Sequence, residues 1–243
     1  MLGLELKKLK RTGIIPAMLL VGILGALYAL ANFAVRKDTL LSLPVPPMVV
    51  LLTQLYAMIA VLNLFVIIVA NCIIYNIEYQ YDAAKKMASM PISIVKMYLF
   101  KFIIISVLLF FAMLIQNTAL VYIGINELPP NSFDMRTLII FASYSFVIAL
   151  PVHAFMLLIS SQTSNMWMTL GIGIAGFFSA LATAMSNSPL CLLNPFVLIM
   201  KPGITSAELA SSSPDRTVMI VSIVMAVIFL AAGAMGAKIK KYK

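Results

Sequence analysis

Residues 102–125 read FIIISVLLFFAMLIQNTALVYIGI, an uninterrupted run without Asp, Glu, Lys or Arg. A helix crosses a bilayer with about 20 apolar residues, so this run is long enough to span a membrane. Five further runs of this kind lie at residues 12–35, 50–76, 137–160, 166–186 and 217–236. The sequence therefore predicts an all-α membrane protein with six transmembrane helices, which we number as spans one to six in chain order.

The composition supports a membrane protein and leaves little sequence for anything else. Of the 243 residues, 63% are hydrophobic and 10% are charged, and the mean hydropathy is +1.06. A typical soluble domain has a charged fraction of about 25%. We therefore expect residues 1–243 to form a single transmembrane domain, with no soluble domain.

The basic residues fall mainly on one side of the predicted membrane. Six spans place both termini on the same side, which also holds the segment between spans two and three. This side has a net charge of +9 and the other side is neutral. It carries twelve of the 17 basic residues, namely Lys7, Lys8, Lys10, Arg11, Lys85, Lys86, Lys96, Lys101, Lys238, Lys240, Lys241 and Lys243. The positive-inside rule places both termini in the cytoplasm of a multi-pass protein, which we expect in a bacterial plasma membrane.

Small residues recur at steps of four in three of the spans, and such a stripe lets another helix approach closely. The partner helix can belong to this chain or to a second subunit. Both options remain open, and we favour packing within the chain. The stripes are Gly22 with Ala26 and Gly25 with Ala29 in span one, Gly171, Ala175, Ser179 and Thr183 in span five, and Ala232 with Gly236 and Gly233 with Ala237 in span six.

Two segments outside the spans are predicted to lie at the membrane surface or partly within it. Residues 2–11 place leucines at helical spacing between basic residues, which indicates an N-terminal amphipathic helix on the inner leaflet. Residues 187–216 contain an apolar stretch at 189–200 that is too short to cross the bilayer. A re-entrant or interfacial segment between spans five and six is therefore expected on the outer side.

The segment between spans two and three is the most informative part of the cytoplasmic side. Residues 77–93 read IEYQYDAAKKMASMPIS. Residues 83–87 are good helix formers, Pro91 ends the helix, and Ser93 is a candidate N-cap for the helix that follows. This pattern predicts a short charged helix with tyrosines at its start. The alternative is a loop that only sets the topology.

The spacing of Glu78, Lys85, Pro91 and Ser93 resembles the cytoplasmic signature of type-2 ABC transporter permeases. Ala83-Ala84 and Met87-Ala88 stand where the common form has a Gly-Thr and a Leu-Leu pair. The resemblance implies a coupling helix that contacts a separate ATPase, and a second permease subunit that is a copy or a related chain. It implies that the coupling residues are Glu78, Tyr79, Asp82, Lys85, Lys86 and Pro91.

The start of the chain, with Glu5, Lys8, Lys10 and Arg11, is similar to the lantibiotic immunity permeases within that family. This narrower resemblance implies that the exported substrate is an antimicrobial peptide, removed from the membrane by a self-protection system.

The source of energy is expected to lie outside this chain. It has no G-x-x-x-x-G-K-[ST] motif, so we expect no cofactor here, and ATP and Mg²⁺ on separate nucleotide-binding ATPase subunits. Proton-coupled carriers keep ionisable residues inside their spans, and the six predicted spans contain no Asp, Glu, Lys or Arg. No catalytic or metal-binding residue is predicted.

Five polar side chains inside the spans are candidates for a substrate path: Asn63, Asn71, Gln116, Asn117 and His153. The amides either line such a path or bond between helices, and both readings remain open. His153, the only histidine, follows Pro151 by two residues. We favour a hydrogen-bonded packing role for it over a proton or metal role.

The sequence therefore predicts the membrane-spanning permease subunit of an ATP-driven ABC exporter for an antimicrobial peptide or another amphiphile. One alternative is a secondary carrier or channel without an ATPase partner, since sodium can bind at backbone carbonyls. Another is an intramembrane enzyme, for which the spans offer few acid–base groups. Besides the ATPase and a second permease subunit, membrane lipids are expected partners. Nucleic acid is not expected, because anionic lipid and topology account for the basic residues.

Overall fold

The computed structural model describes residue 9 and residues 12–80, 93–183, 189–203 and 214–240. Within these ranges the chain is helical and has no strand. Six helices are long and apolar enough to cross a membrane, which confirms the predicted number of spans. In chain order they are Ile14–Leu41, Pro47–Ile77, Ile94–Asn126, Met135–Gln162, Met166–Thr183 and Arg216–Lys238.

Span two is built from three consecutive pieces. It begins as an α-helix at Pro47–Val50, passes through a π-helical turn at Leu51–Leu55, and continues as an α-helix over Tyr56–Gln80. Within the first of these, proline stands at the first helical position, where its missing N–H group has no intrahelical acceptor in any case. Four of the five residues in the π-helical turn are buried. The helix that contains span two therefore continues to Gln80, four residues beyond the end of its apolar run, at the edge of the charged segment between spans two and three.

Side-chain caps fix the starts of spans three and four. Ser93 is the N-cap of span three, and its hydroxyl accepts a hydrogen bond from the Lys96 N–H at 3.4 Å, as the sequence predicts. Asp134 is the N-cap of span four and accepts from the backbone N–H groups of Arg136 and Thr137 at 3.0 and 3.1 Å. Because the Ser93 cap starts the helix at Ile94, span three begins eight residues before the charge-free run that defines it in the sequence.

Spans two and four form the centre of the bundle. The buried share of the most apolar stretch is 61% in span two and 56% in span four, but only 17% in span five. Span one packs mainly on span three, and span six packs mainly on span four. The helices are weakly amphipathic because the faces that pack in the bundle and the faces that remain exposed are both apolar.

The described part of the segment between spans five and six, residues 189–203, consists of short helices. A 3₁₀ turn at Pro189–Leu193 is followed by an α-helix at Pro195–Met200 and a 3₁₀ turn at Lys201–Gly203. All six residues of the α-helix are buried, and the helix packs against spans two, four and five. Asn194 caps it by accepting from the Phe196 N–H at 3.0 Å. The second half of the apolar stretch noted in the sequence, residues 195–200, therefore belongs to the protein core, whereas Leu190 and Leu193 are exposed.

Two predicted features lie outside the described residues. They are the amphipathic helix at residues 2–11, of which the structure describes the buried Leu9, and the coupling helix within residues 81–92. Both stay predictions.

Candidate functional site

The C-terminal ends of spans two and four meet next to the predicted coupling segment. The Tyr79 hydroxyl donates a hydrogen bond of 2.7 Å to the carbonyl oxygen of Ser161. That carbonyl lies in the last turn of span four, where carbonyl oxygens receive no hydrogen bond from the N–H groups of the same helix. Tyr79 also stacks on Tyr75, with ring centroids 6.5 Å apart. Of the predicted coupling residues, Asp82, Lys85, Lys86, Pro91 and the side chain of Glu78 lie outside the described residues.

Lys101 is a buried charge that the sequence analysis placed at the membrane surface. Its side chain is 1% exposed, and its Nζ atom lies 5.2 Å from the centre of the Tyr75 ring. The run at 102–125 contains no charged residue. The helix that contains this run starts earlier, however, and includes Lys101. The sequence feature that predicts this position is Ser93. A helix that begins after a cap at Ser93 places Lys101 two turns from its start.

A reciprocal amide pair joins spans two and three in the middle of the bundle. Asn63 donates to the Gln116 Oε1 atom at 3.0 Å, and Gln116 donates to the Asn63 Oδ1 atom at 2.8 Å. Both side chains are 1% exposed. The Gln116 side chain also lies against Gly25 of span one, where there is no side chain to displace it. This pair bonds helices together and leaves neither amide turned toward solvent.

His153 forms a second polar contact among spans two, three and four. Its Nε2 atom lies 3.0 Å from the Phe102 carbonyl oxygen, and its Nδ1 atom lies 2.9 Å from the Asn71 Nδ2 atom. Since a carbonyl only accepts and an amide nitrogen only donates, this geometry fits a neutral ring with the proton on Nε2. The ring is fully buried and stacks on Phe102 with centroids 4.5 Å apart. This is the hydrogen-bonded packing arrangement that the sequence analysis favoured for His153.

Asn117 lies beside a cavity of about 550 Å³ between spans three and four. The rings of Phe110 and Phe146 meet edge-on, with their centroids 5.7 Å apart. These two residues lie at the end of the cavity nearest the middle of the helices. Lining residues such as Leu114 and Ile139 are also exposed on the outside of the bundle, so the cavity opens sideways. The cavity wall consists of Phe110, Met113, Leu114, Asn117, Thr118, Val121, Met135, Leu138, Ile139, Ala142, Ser143, Phe146 and Val147.

The polar atoms of this cavity wall can mainly accept hydrogen bonds. The hydroxyls of Thr118 and Ser143 donate to the backbone carbonyls of Ile115 and Ile139 at 2.6 and 2.8 Å, and the Asn117 amide donates to the Met113 carbonyl at 2.7 Å. The hydroxyl oxygens of Thr118 and Ser143 keep lone pairs for other groups, whereas the Asn117 Oδ1 atom is buried without a partner. The wall contains no charged side chain and is apolar elsewhere. Sequence reasoning found Asn117 but not the cavity, because neither span pattern shows which faces meet.

The described residues offer no metal centre, since no group of three or more His, Cys, Asp or Glu side chains lies together within them. Cys72 and Cys191 are both free thiols. Among the described residues, the Asn63–Gln116 pair and His153 form hydrogen bonds between helices, and Asn117 lines the lateral cavity.

A family model described as "ABC-2 family transporter protein" matches residues 1–181. No curated protein and no solved structure matches the chain. The chain belongs to the ABC-2 transporter family. It is a multi-pass membrane permease subunit of an ABC transporter and not itself an enzyme, and the family implies an ATPase partner.

Proposed function

We propose that this permease exports an antimicrobial peptide or a similar amphiphile, with energy from ATP hydrolysed on a separate ATPase subunit. The observation that carries the substrate class is the lateral cavity between spans three and four. Its apolar wall suits the hydrophobic part of an amphiphile, and its oxygen acceptors suit hydroxyl, amide or ammonium donors. A substrate already dissolved in the bilayer would reach such a cavity without crossing water.

Energy enters, on this proposal, through residues 78–93. Glu78, Asp82, Lys85 and Lys86 would make polar contacts with the ATPase, and Pro91 would set the angle of the next helix. The bond from Tyr79 to the Ser161 carbonyl supports this, because it joins the segment's first turn to span four, one wall of the cavity. ATP and Mg²⁺ would be bound on the ATPase.

The orientation that fits this proposal has both termini in the cytoplasm of a bacterial cell. It places the Lys37–Glu127 ion pair, 2.6 Å between Nζ and Oε2, on the outer side, where it joins the ends of spans one and three. The buried helix at Pro195–Met200 would then enter the bundle from outside as a re-entrant segment. Buried backbone of this kind is tolerated at membrane depth because protein covers it.

A second permease subunit, either a copy or a related chain, would pack against span five. Within this chain the stripe of that span points outward, since Gly171, Ala175 and Ser179 are exposed. A Cβ atom added at Gly171 would meet nothing within 4 Å. Helices in a membrane associate through such small-residue surfaces.

The function is tested by purifying the tagged permease under native detergent conditions and then measuring peptide tolerance of cells that express it. We expect an ATPase subunit to co-purify. We also expect Ser143→Trp, which fills the lateral cavity, to lower tolerance of an amphiphilic peptide about tenfold, as for the loss of roughly 1.4 kcal/mol of binding. The control is Ile223→Trp on the exposed face of span six.

Two results would contradict the proposal. Purification without any ATPase, together with gradient-driven uptake in liposomes, would favour a secondary carrier. Unchanged tolerance in Ser143→Trp would remove the cavity from the transport path.

A further inference from the structure

Lys101 stands out because its charge lies inside the protein while its neighbour on the same helix does not. Lys96 is exposed, whereas Lys101 is 1% exposed. Removing an ammonium group from water is costly unless other groups replace the water. One of the groups that Lys101 contacts is the face of Tyr75, with Nζ 5.2 Å from the ring centre. An aromatic face attracts a cation most strongly when both are shielded from solvent, and Tyr75 is 8% exposed.

This contact belongs to a chain of contacts across three spans at one level of the bundle. Lys101 of span three lies over Tyr75 of span two, Tyr75 stacks on Tyr79, and Tyr79 donates to the Ser161 carbonyl of span four. We call these four residues the basal cluster. Each link joins neighbours by a directional contact rather than by apolar packing alone.

The position of the basal cluster along the chain gives it mechanical importance. Span two ends at Gln80 and span three begins at Ile94, so the two helices that the cluster joins are those that flank residues 81–92. Tyr79 lies two residues before that segment begins, and Lys101 lies two helical turns after it. A displacement of the segment reaches the bundle through these two helix ends. If they were free to separate, the displacement would part them instead of moving the cavity wall.

We propose that Lys101 is a positioning residue for energy coupling, whose contact with Tyr75 makes spans two, three and four move together when the 81–92 segment is displaced. This inference rests on the proposed function, in which the ATPase acts on residues 78–93. It assigns to the buried cation a role in transmitting motion and no contact with the substrate or with ATP.

The test compares variants that keep or remove each half of the contact. Lys101→Met removes the charge and keeps most of the volume, and Lys101→Arg keeps the charge. Tyr75→Leu removes the aromatic face, and Tyr75→Phe keeps it. The control is Lys96→Met, which removes an exposed charge from the same helix. Three quantities are measured for each: the amount of permease in the membrane, the amount of ATPase that co-purifies, and the stimulation of ATP hydrolysis by an amphiphilic peptide.

We expect Lys101→Met and Tyr75→Leu to reach the membrane and bind the ATPase within twofold of the wild type, while peptide stimulation falls at least tenfold. Lys101→Arg and Tyr75→Phe should keep at least a third of the stimulation, and Lys96→Met should keep all of it. Full stimulation in Lys101→Met would overturn the inference. So would loss of ATPase binding or of membrane protein in both Lys101→Met and Tyr75→Leu, since the cluster would then serve assembly only. If the wild type binds no ATPase, the proposed function itself fails, which is a separate result.

Discussion

Span one and span five carry the same kind of small-residue stripe, yet the structure uses the two stripes differently. In span one, Gly22 lies against the backbone of Ala112 and Gly25 lies against Gln116, so both face span three inside the chain. In span five, Gly171 faces open space and Ala175 is exposed. The inner face of span five is formed by other residues, with Gly173 against Ile68. The same sequence pattern therefore forms a packed surface in span one and an exposed surface in span five.

The stripe of span six behaves like that of span one. Gly233 lies against Tyr98, and Gly236 lies against Gln162, both within the chain. The stripes of spans one and six therefore pack within the chain, whereas in span five Gly171 and Ala175 are exposed and Ser179 accepts a hydrogen bond from Asn194.

The largest expected effect comes from filling the packed stripe. In Gly25→Leu, even the first added carbon would lie 2.8 Å from the Gln116 Nε2 atom, so the amide pair with Asn63 must shift. Overpacking of this kind costs about 3 kcal/mol. We expect a clear drop in the thermal unfolding temperature in detergent. Gly171→Leu is the matched control on the exposed stripe, and equal stability of the two variants would contradict the contrast between the stripes.

A smaller effect is expected from filling the exposed stripe. Gly171→Leu combined with Ala175→Leu should leave the single chain folded and weaken its association with a second permease subunit about tenfold, which corresponds to roughly 1.4 kcal/mol. Co-purification of two differently tagged permease subunits measures this. Ile220→Leu, at an exposed site of span six, is the control. Undiminished association would mean that another face forms the interface.

The Asn63–Gln116 amide pair next to Gly25 allows the stability contributed by the packed side to be measured. Asn63→Leu leaves the buried Gln116 amide without its partner, so we expect a loss of about 1 kcal/mol, in the range of hydrogen bonds measured between membrane helices. Asn63→Leu combined with Gln116→Leu should lose less than the sum of the two single variants. A double-mutant cycle with strictly additive losses would show that the two amides do not stabilise each other.

The smallest effect is expected at Asp134, which caps span four away from both stripes. The hydrogen bond from the Thr137 hydroxyl, followed by the Arg136 backbone N–H and charge, holds the pKa of this carboxyl below its usual value. A lowered pKa in the folded state adds stability above the pKa of the unfolded chain, and that stability is lost as the pH falls through the folded value. Asp134→Asn should remove this acid-dependent part of the thermal stability and little else. An identical decline of both proteins in acid would show that the cap does not contribute.

Several features of the fold follow from local rules that act on the sequence. Six charge-free runs gave six helices, and Ser93 starts span three because its hydroxyl replaces a missing helix acceptor. The burial of Lys101 does not follow from such rules, since it depends on Tyr75 from another helix. The lateral cavity likewise depends on which faces of spans three and four meet. Asn63 and Gln116 find each other across 53 residues of sequence, which no local pattern encodes.

The central claim is that energy from a separate ATPase enters through residues 78–93, and co-purification of the ATPase with variants of that segment tests it most directly. Glu78→Ala and Asp82→Lys should abolish recovery of the ATPase while the amount of permease in the membrane stays at the wild-type level. Ile223→Trp, on the exposed face of span six, serves as the control and should retain the ATPase. Recovery of the ATPase at the wild-type level with both segment variants would contradict the claim.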